Sequence, residues 1–224
     1  MLKVVAFCWV HLHRAAQQEE NAMRNENVAR EILGVDFITP EEIMSVSPDI
    51  KYVVAQMAEF ERTLPCRAEL MLLRDRGAIL LPGPGAKKSL LEIRALNGEY
   101  FFCKKGWYSH HCEQFSHEDK VGAKWLKIRK KPASYSAGKN LDDMRLRLSG
   151  EGYVPNIAEV AWSVTSYRAV RNIRLFPHIF VWTSSEDSCG LRVFIGHNTR
   201  KGLSVNSLGD TIRYNSIGWA IAWK

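Results

Sequence analysis

The sequence PNIAEVAWSVTSYRAVR, residues 155–171, is the most regular helical stretch of the chain, because its apolar residues recur at three- and four-residue steps. Two apolar runs follow it, IFVWT at 179–183 and LRVFIG at 191–196, with a polar segment between them. Short runs rich in β-branched and aromatic residues are typical of strands. A long helix followed by two strands is therefore the part of the fold that the sequence defines best.

Shorter helices are predicted upstream from their capping signals. Thr39 precedes Pro40 and two glutamates, and Ser89 precedes LLEIR at 90–94. A hydroxyl cap, a proline at the first helical position and early acidic residues all favour a helix start. The other predicted elements are helices between Ser47 and Leu64, over 69–74 and over 140–148, and strands over 78–81, 100–102 and 125–129. Helices first and strands later predict an α+β fold rather than a doubly wound parallel sheet.

Composition excludes several classes of protein. The chain has 224 residues, of which 46% are hydrophobic and 25% charged, so a disordered or fibrous chain is excluded. No apolar run approaches the roughly 20 residues that a membrane-spanning helix needs, so no membrane span is predicted. Lys and Arg exceed Asp and Glu by 31 − 24 = 7. This net charge permits acidic partners without identifying one.

Two features bear on location. The five cysteines are odd in number and widely spaced, which indicates a reducing compartment. The apolar stretch from Val4 to Val10 is interrupted at once by His11, so it is too short for a convincing signal peptide. We therefore expect a cytoplasmic or virion-associated protein.

One stretch collects the side chains that zinc prefers, namely Cys103, His110, His111, Cys112 and His117. Adjacent residues at 110–112 cannot all face one ion, and the nine-residue step from Cys103 to Cys112 is not a zinc-ribbon spacing. The pattern favours a polar loop over a zinc site, without excluding metal binding.

Motifs for catalysis are weak. The segment PGPGAKKS at 82–89 has two prolines and misplaced glycines, so it does not match a phosphate-binding loop. No nucleophile elbow or protease-like cysteine context is present in the sequence. We therefore expect neither an enzyme nor a resident cofactor or metal.

A basic strip, KWLKIRKK at 124–131, alternates cationic with apolar residues. Such a strip is compatible with nucleic-acid binding. The same alternation predicts a strand that buries Leu126 and Ile128 and leaves its Lys and Arg residues in water, which is the favoured interpretation. A basic nucleic-acid-binding protein of a mobile element is the alternative function.

A series of short motifs runs from about Phe37 to the end of the chain. The motifs are PGP at 82–84, SLLEIR at 89–94, GWY at 106–108, EDKV at 118–121, WL at 125–126, IRK at 128–130, VPN at 154–156, AE at 158–159, Arg171, RLF at 174–176, TSS at 183–185, RV at 192–193, GL at 202–203, Val205, Arg213, IG at 217–218, Ala220 and Lys224. In this order and spacing the chain resembles the variable proteins of diversity-generating retroelements, which have a C-type-lectin-type fold. The resemblance implies an irregular or helical lead-in over 1–36, a small helical accessory region over 37–76 and a C-type-lectin-like domain with short strands over 77–224.

The resemblance also implies that residues 192–224 are diversified by adenine-directed copying errors. Where the family's template would place Asn, this chain has residues that are all reachable from an Asn codon by changing only its adenines, namely Phe194, His197, Thr199, Ser204, Asn206, Ser207, Leu208, Ile212, Tyr214, Asn215 and Ser216. Fixed positions such as Gly202, Leu203 and Val205 lie between them. The candidate ligand-binding residues are Phe194, His197, Thr199, Ser204, Asn206, Ser207, Leu208, Asp210, Thr211, Ile212, Tyr214, Asn215, Ser216, Trp219 and Trp223. The chain departs from the family at Gly209 and over 219–223.

The implied function is binding of an unknown protein or cell-surface ligand through a variable face, in a phage or prophage setting. Tyr214, Trp219 and Trp223 are expected to supply aromatic contact area, and the polar residues adaptable hydrogen bonds. We expect no calcium dependence, because Asp210 and Asn215 alone do not supply a calcium ligand set. The aliphatic residues expected to point inward against the helix at 155–171 are Val193, Ile195, Leu203, Val205 and Ile217.

Overall fold

The computed structural model describes residues 25–102, 106–136, 138–148, 152–209 and 217–224. Its α-helices are α1 (25–33), α2 (Pro40–Val46), α3 (Val54–Thr63), α4 (Arg67–Asp75), α5 (Leu90–Leu96), α6 (Phe115–Glu118), α7 (Leu141–Arg147) and α8 (Ile157–Arg171). Its strands are β1 (Ala78–Pro82), β2 (Lys88–Ser89), β3 (Lys120–Val121), β4 (Trp125–Arg129), β5 (Gly152–Tyr153), β6 (Phe180–Glu186), β7 (Arg192–Thr199), β8 (Gly202–Leu208), β9 (Ile217–Trp219) and β10 (Ala222–Trp223). The predicted α+β class is confirmed.

Within the described ranges the strands form two four-stranded sheets and a small pair. The first sheet has the order β1-β4-β10-β5 with antiparallel neighbours throughout. The second sheet has the order β8-β7-β6-β9, in which β9 runs parallel to β6 and the other neighbours are antiparallel. The short strands β2 and β3 pair with each other. Residues 217–223 contribute to both large sheets, because β9 lies in the second and β10 in the first.

Helix α8 lies between the two large sheets. It contacts β4 of the first sheet and both β6 and β7 of the second. Its residues from Ile157 to Tyr167 are buried on every side, including the polar Ser163 and Thr165. Their hydroxyls donate to carbonyls one turn back in the same helix, at 2.8 and 2.9 Å. The helix is therefore more completely buried than a single apolar face predicts, because two sheets cover it.

The expected inward-facing aliphatic residues are buried. Val193, Ile195, Leu203 and Val205 belong to the main core together with α8. Ile217 is buried too, but it belongs to a second core on the opposite side of the sheet, so its predicted packing against α8 is wrong. This second core joins Trp182, Phe194 and Trp219 of the sheet to Ala133, Leu141 and Met144, which come from α7 and the segment before it.

Two of the predicted caps are confirmed. Thr39 and Ser89 each begin a helix through a capping box with the glutamate three residues later. The helix predicted to restart at Ser47 begins only at Val54, where the Gln56 side chain caps the backbone of Val53. A side-chain cap at that position stops the helix from extending further towards its N-terminus.

The strand predicted at 100–102 is wrong. Residues Gly98–Tyr100 form a 3₁₀-helix, and Phe101 makes only an isolated bridge with Leu203. Two glycines of the second sheet have different roles. Gly202 starts β8 with φ of +111°, and a Cβ there would lie 2.5 Å from the Phe101 carbonyl carbon. Gly218 instead lies inside β9, where a Cβ would lie 2.4 Å from Cβ of Pro132. That glycine permits close packing rather than a turn.

The N-terminal helical region packs on the rest of the molecule. Ile38 donates its backbone N–H to Leu80 O at 2.9 Å, which brings the chain beside β1. The Arg171 guanidinium, at the end of α8, donates to Val35 O, Phe37 O and the Glu42 carboxylate at 2.6 to 2.9 Å. Among the helices in the described part of the chain, none is long and apolar enough to cross a membrane.

Candidate ligand-binding surface

The candidate variable residues of β7 and β8 divide between the two faces of the second sheet. We call the side packed on α8 the inner face and the opposite side the outer face. Phe194 pairs with Asn206, and the neighbouring registers bring Ser204 and Leu208 to the same side. Cross-strand partners point to one face of a sheet, so these four residues share the outer face. Ser207 pairs with Val193 and therefore points to the inner side.

Exposure differs strongly within the outer face. Asn206, on the edge strand β8, is exposed, and its neighbours Ser204 and Leu208 are half-buried. Phe194, on the central strand β7, is only 8% exposed. Its ring packs edge-on against Phe180 and Trp182 at centroid distances of 5.1 and 5.0 Å. The expected solvent-facing position of Phe194 is therefore wrong, because aromatic neighbours and the α7 region cover the centre of this face.

Both tryptophans expected to act as surface anchors are also placed elsewhere. Trp219 is 0% exposed, and its indole N–H donates to Lys139 O at 2.7 Å. Trp223 lies on β10 in the first sheet, half-buried, with the Arg76 guanidinium 5.1 Å from its ring centroid. Large aromatic side chains bury more apolar area than most other residues. Trp219 and Trp223 therefore favour packing of β9 and β10 into the interior over exposure of these strands to solvent.

The remaining described candidates lie at one end of β7. His197 is exposed, has φ of +46° and stacks on the Phe180 ring at 5.6 Å. Thr199 is half-buried and follows an irregularity in the register with β8. Asp210, Thr211, Ile212, Tyr214, Asn215 and Ser216 lie outside the described residues.

A polar groove of about 670 Å³ adjoins the outer face, between the sheet and helices α6 and α7. Its lining residues are Gln114, Phe115, Glu118, Asp119, Asn140, Leu141, Asp142, Arg145, Ser184, Ser185, Glu186 and Arg192. Arg192, next to Leu208 across the strands, donates to Ser184 O at 2.7 Å and to Glu186 Oε1 at 2.6 Å. The groove could not be predicted from the sequence, because its charged residues come from four separate elements and do not recur at any regular spacing along the chain.

Asp119 is the groove residue with the most perturbed acidity. Burial raises the pKa of its carboxyl, and the nearby Glu159 and Glu118 raise it further. The Ser185 hydroxyl donates to Asp119 and opposes this rise. The groove therefore offers a carboxyl of raised pKa beside the Arg192–Glu186 and Arg145–Asp142 ion pairs, which suits a polar ligand better than an apolar one.

The histidine-rich loop does not form a metal cluster within the described part of the chain, where no three His, Cys, Asp or Glu side chains are arranged to hold an ion. Cys103 lies outside the described residues. The His110 Nδ1 atom lies 2.9 Å from Cys112 Sγ, and the His110 and His111 rings contact each other with their planes tilted by 36° and their centroids 4.3 Å apart.

The basic strip forms strand β4. Leu126 and Ile128 are buried, so the predicted strand and its buried pair are confirmed. Lys127 and Arg129 are half-buried rather than fully in water. Several of its cations already have partners: the Lys124 ammonium lies 2.7 Å from the Glu159 carboxylate, and the Lys130 ammonium lies 2.6 Å from the Asp36 carboxylate. These ion pairs reduce the charge that the strip could offer to a phosphate backbone.

Comparisons with known proteins give no match. No protein-family model matches the chain, and no curated protein or solved structure is significantly similar to it.

Proposed function

We propose that the chain is a ligand-binding protein whose C-terminal segment is diversified by a retroelement and displayed on a C-type-lectin-like scaffold. The observation that carries the proposal is the alternation along β8. The fixed positions Leu203 and Val205 are 1% and 6% exposed, whereas the candidate variable positions Ser204 and Asn206 face the other way. A segment that must change its side chains without unfolding needs this separation.

The backbone of β8 supports the same proposal, because it is held independently of its outward side chains. On one side it forms the ladder with β7. On its other edge, Leu203 O accepts the Phe102 N–H at 3.0 Å and Val205 O accepts the Trp107 indole N–H at 3.0 Å. Substitutions at Ser204 and Asn206 leave all these bonds in place. Covering the edge with an indole also protects the strand from pairing with another chain.

The outer face and the groove beside it support the proposed class of ligand. His197, stacked on Phe180, and the polar pair Ser204 and Asn206 surround a shallow surface that continues past Leu208 to the groove at Arg192. A mixed aromatic and polar surface of this kind suits a protein or a cell-surface ligand, for which a few aromatic contacts supply most of the affinity.

The decisive test is genetic. Sequencing the codons for residues 192–224 across many isolates should reveal substitutions concentrated at the candidate variable residues that lie outside the second core, with a near-repeat of those codons and a reverse-transcriptase gene nearby. Substitutions spread evenly over Leu203 and Val205 as well, or a locus without the near-repeat, would contradict the proposal.

A display experiment tests the physical part separately. One library randomises His197, Ser204 and Asn206, and a matched library randomises Ile195, Leu203 and Val205. We expect most members of the first library to fold, as measured by protease resistance on the displaying surface, and few of the second. Equal survival of the two libraries would remove the structural support for a variable outer face.

A further inference from the structure

A second site lies where the loop before α6 meets the turn between β6 and β7. The Glu113 carboxylate accepts the backbone N–H and the hydroxyl of Ser188, at 3.1 and 2.8 Å, and Glu113 is itself buried. This pair fixes the loop on the turn. It also brings Cys112 Sγ to 3.9 Å from the Ser188 hydroxyl oxygen, and Cys189 is the next residue of the same turn.

Cys112 is exposed and has an imidazole beside its sulfur. It is not in a disulfide, and the Nδ1 atom of His110 lies 2.9 Å from Sγ. An imidazole within hydrogen-bond distance of a thiol is placed to accept its proton when the sulfur attacks a disulfide. The other charged or titratable groups nearby are Glu113, whose Oε1 is 3.9 Å from the sulfur but is hydrogen-bonded to Ser188, and His111, whose ring contacts His110 in a tilted arrangement.

We propose that Cys112 is a site of thiol modification, with Cys189 as the thiol that resolves it. The Cys112 thiolate attacks one sulfur of a low-molecular-weight disulfide such as glutathione disulfide. The disulfide bond breaks, and one glutathione leaves as a thiolate that takes the proton held by His110. Cys189 then attacks the Cys112 sulfur, forms the Cys112–Cys189 bond and releases the second glutathione. The protein loses two electrons and two protons, and glutathione disulfide gains both.

The product would change the candidate ligand-binding surface. Gln114 and Glu186, which line the polar groove, lie close in sequence to the two cysteines. A covalent bond between the loop and the turn would therefore fix one rim of the groove. The site itself stands independently of the proposed function, because none of its residues belongs to the candidate variable set.

The first test measures alkylation rates by iodoacetamide on the full chain, with peptide mass spectrometry. Cys66 is the internal control, because it is also exposed and free and lies at the N-cap position of helix α4. We expect Cys112 to react about tenfold faster than Cys66 near neutral pH. His110→Gln should bring the Cys112 rate close to that of Cys66 and leave the Cys66 rate unchanged. Equal rates in the wild type, or no effect of His110→Gln, would overturn the proposal.

The second test uses glutathione disulfide as the oxidant. The wild type should yield the Cys112–Cys189 disulfide, whereas Cys189→Ser should stop at glutathionylated Cys112. Cys66→Ser should behave as the wild type. If glutathionylated Cys112 accumulates equally in the wild type and in Cys189→Ser, the resolving role of Cys189 is wrong and the proposal fails.

Discussion

The two faces of the second sheet share the same strands but differ in side chains. The inner face presents branched aliphatic residues such as Val193 and Ile195, both fully buried against α8. The outer face is aromatic at its centre, at Trp182 and Phe194, and polar at its β8 edge. The difference shows that an outward direction does not by itself free a position to vary. On the outer face, solvent reaches the edge strand, whereas the centre is a second core.

The largest expected effect tests the claim that the outer face has a core. Trp219→Ala should lower the free energy of unfolding by about 3–5 kcal/mol, because it leaves a cavity among packed aromatics. It also removes the donor to Lys139 O. Urea denaturation measures the loss. Trp223→Ala is the control, and its effect should be smaller because that side chain is half-buried. An unchanged denaturation midpoint for Trp219→Ala would contradict the placement of Trp219 in the second core.

Much of the fold could be predicted from local signals. The caps at Thr39 and Ser89, the strand at 125–129 and the helix at 155–171 each depend on neighbours in sequence, and the structure contains all four. Short-range hydrogen bonds and residue periodicity decide such elements before any distant contact forms.

The misplaced candidate site residues have a common physical cause. Polarity and alternation predicted which β7 and β8 residues point outward, but not what covers the outer face. Phe194 and Trp219 are buried by α7 and the segment before it, which lie about 50 to 80 residues away along the chain. Contacts between such distant segments leave no periodic trace in the sequence. For the same reason the polar groove, assembled from α6, α7, β6 and β7, was not predictable.

A medium effect is expected at the C-terminal end of α8, where Arg171 binds the N-terminal helical region through Glu42. Burial alone would raise the pKa of the Glu42 carboxyl. The hydrogen bonds from Arg171 and from the Thr39 backbone N–H outweigh burial, so the pKa lies below its ordinary value of 4.5. A carboxyl with a lowered folded-state pKa stabilises the fold above its unfolded-state pKa, and this stability is lost as the pH falls through the lower folded-state value.

Glu42→Gln should therefore lower the free energy of unfolding at pH 7 by about 1–3 kcal/mol, the usual loss for a hydrogen bond to a charged group. Below the folded-state pKa of Glu42 the variant and the wild type should converge. Denaturation midpoints measured from pH 7 down to pH 3 check this, with Glu41→Gln as the matched control on the same helix turn. A constant difference across the whole range would show that the carboxylate charge is not what stabilises this contact.

The smallest expected effect lies at the β8 edge, where the proposed function needs tolerance. The double substitution Ser204→Ala with Asn206→Ala should change the free energy of unfolding by no more than about 0.5 kcal/mol per site, since both side chains face outward and the exposed one contacts mainly water. Leu203→Ala, on the same strand but with its side chain pointing inward, should lower the free energy of unfolding by about 2–5 kcal/mol.

The strand itself should persist in the double variant, because the Trp107 indole and the Phe102 amide bind backbone carbonyls rather than side chains. Amide hydrogen exchange tests this directly: the backbone amide of residue 206 lies on the side of β8 that forms the ladder with β7, and slow exchange there in both the wild type and the double variant is the expected result. Fast exchange in the double variant alone would mean that Ser204 and Asn206 hold the strand, and a surface that depends on those side chains could not be diversified.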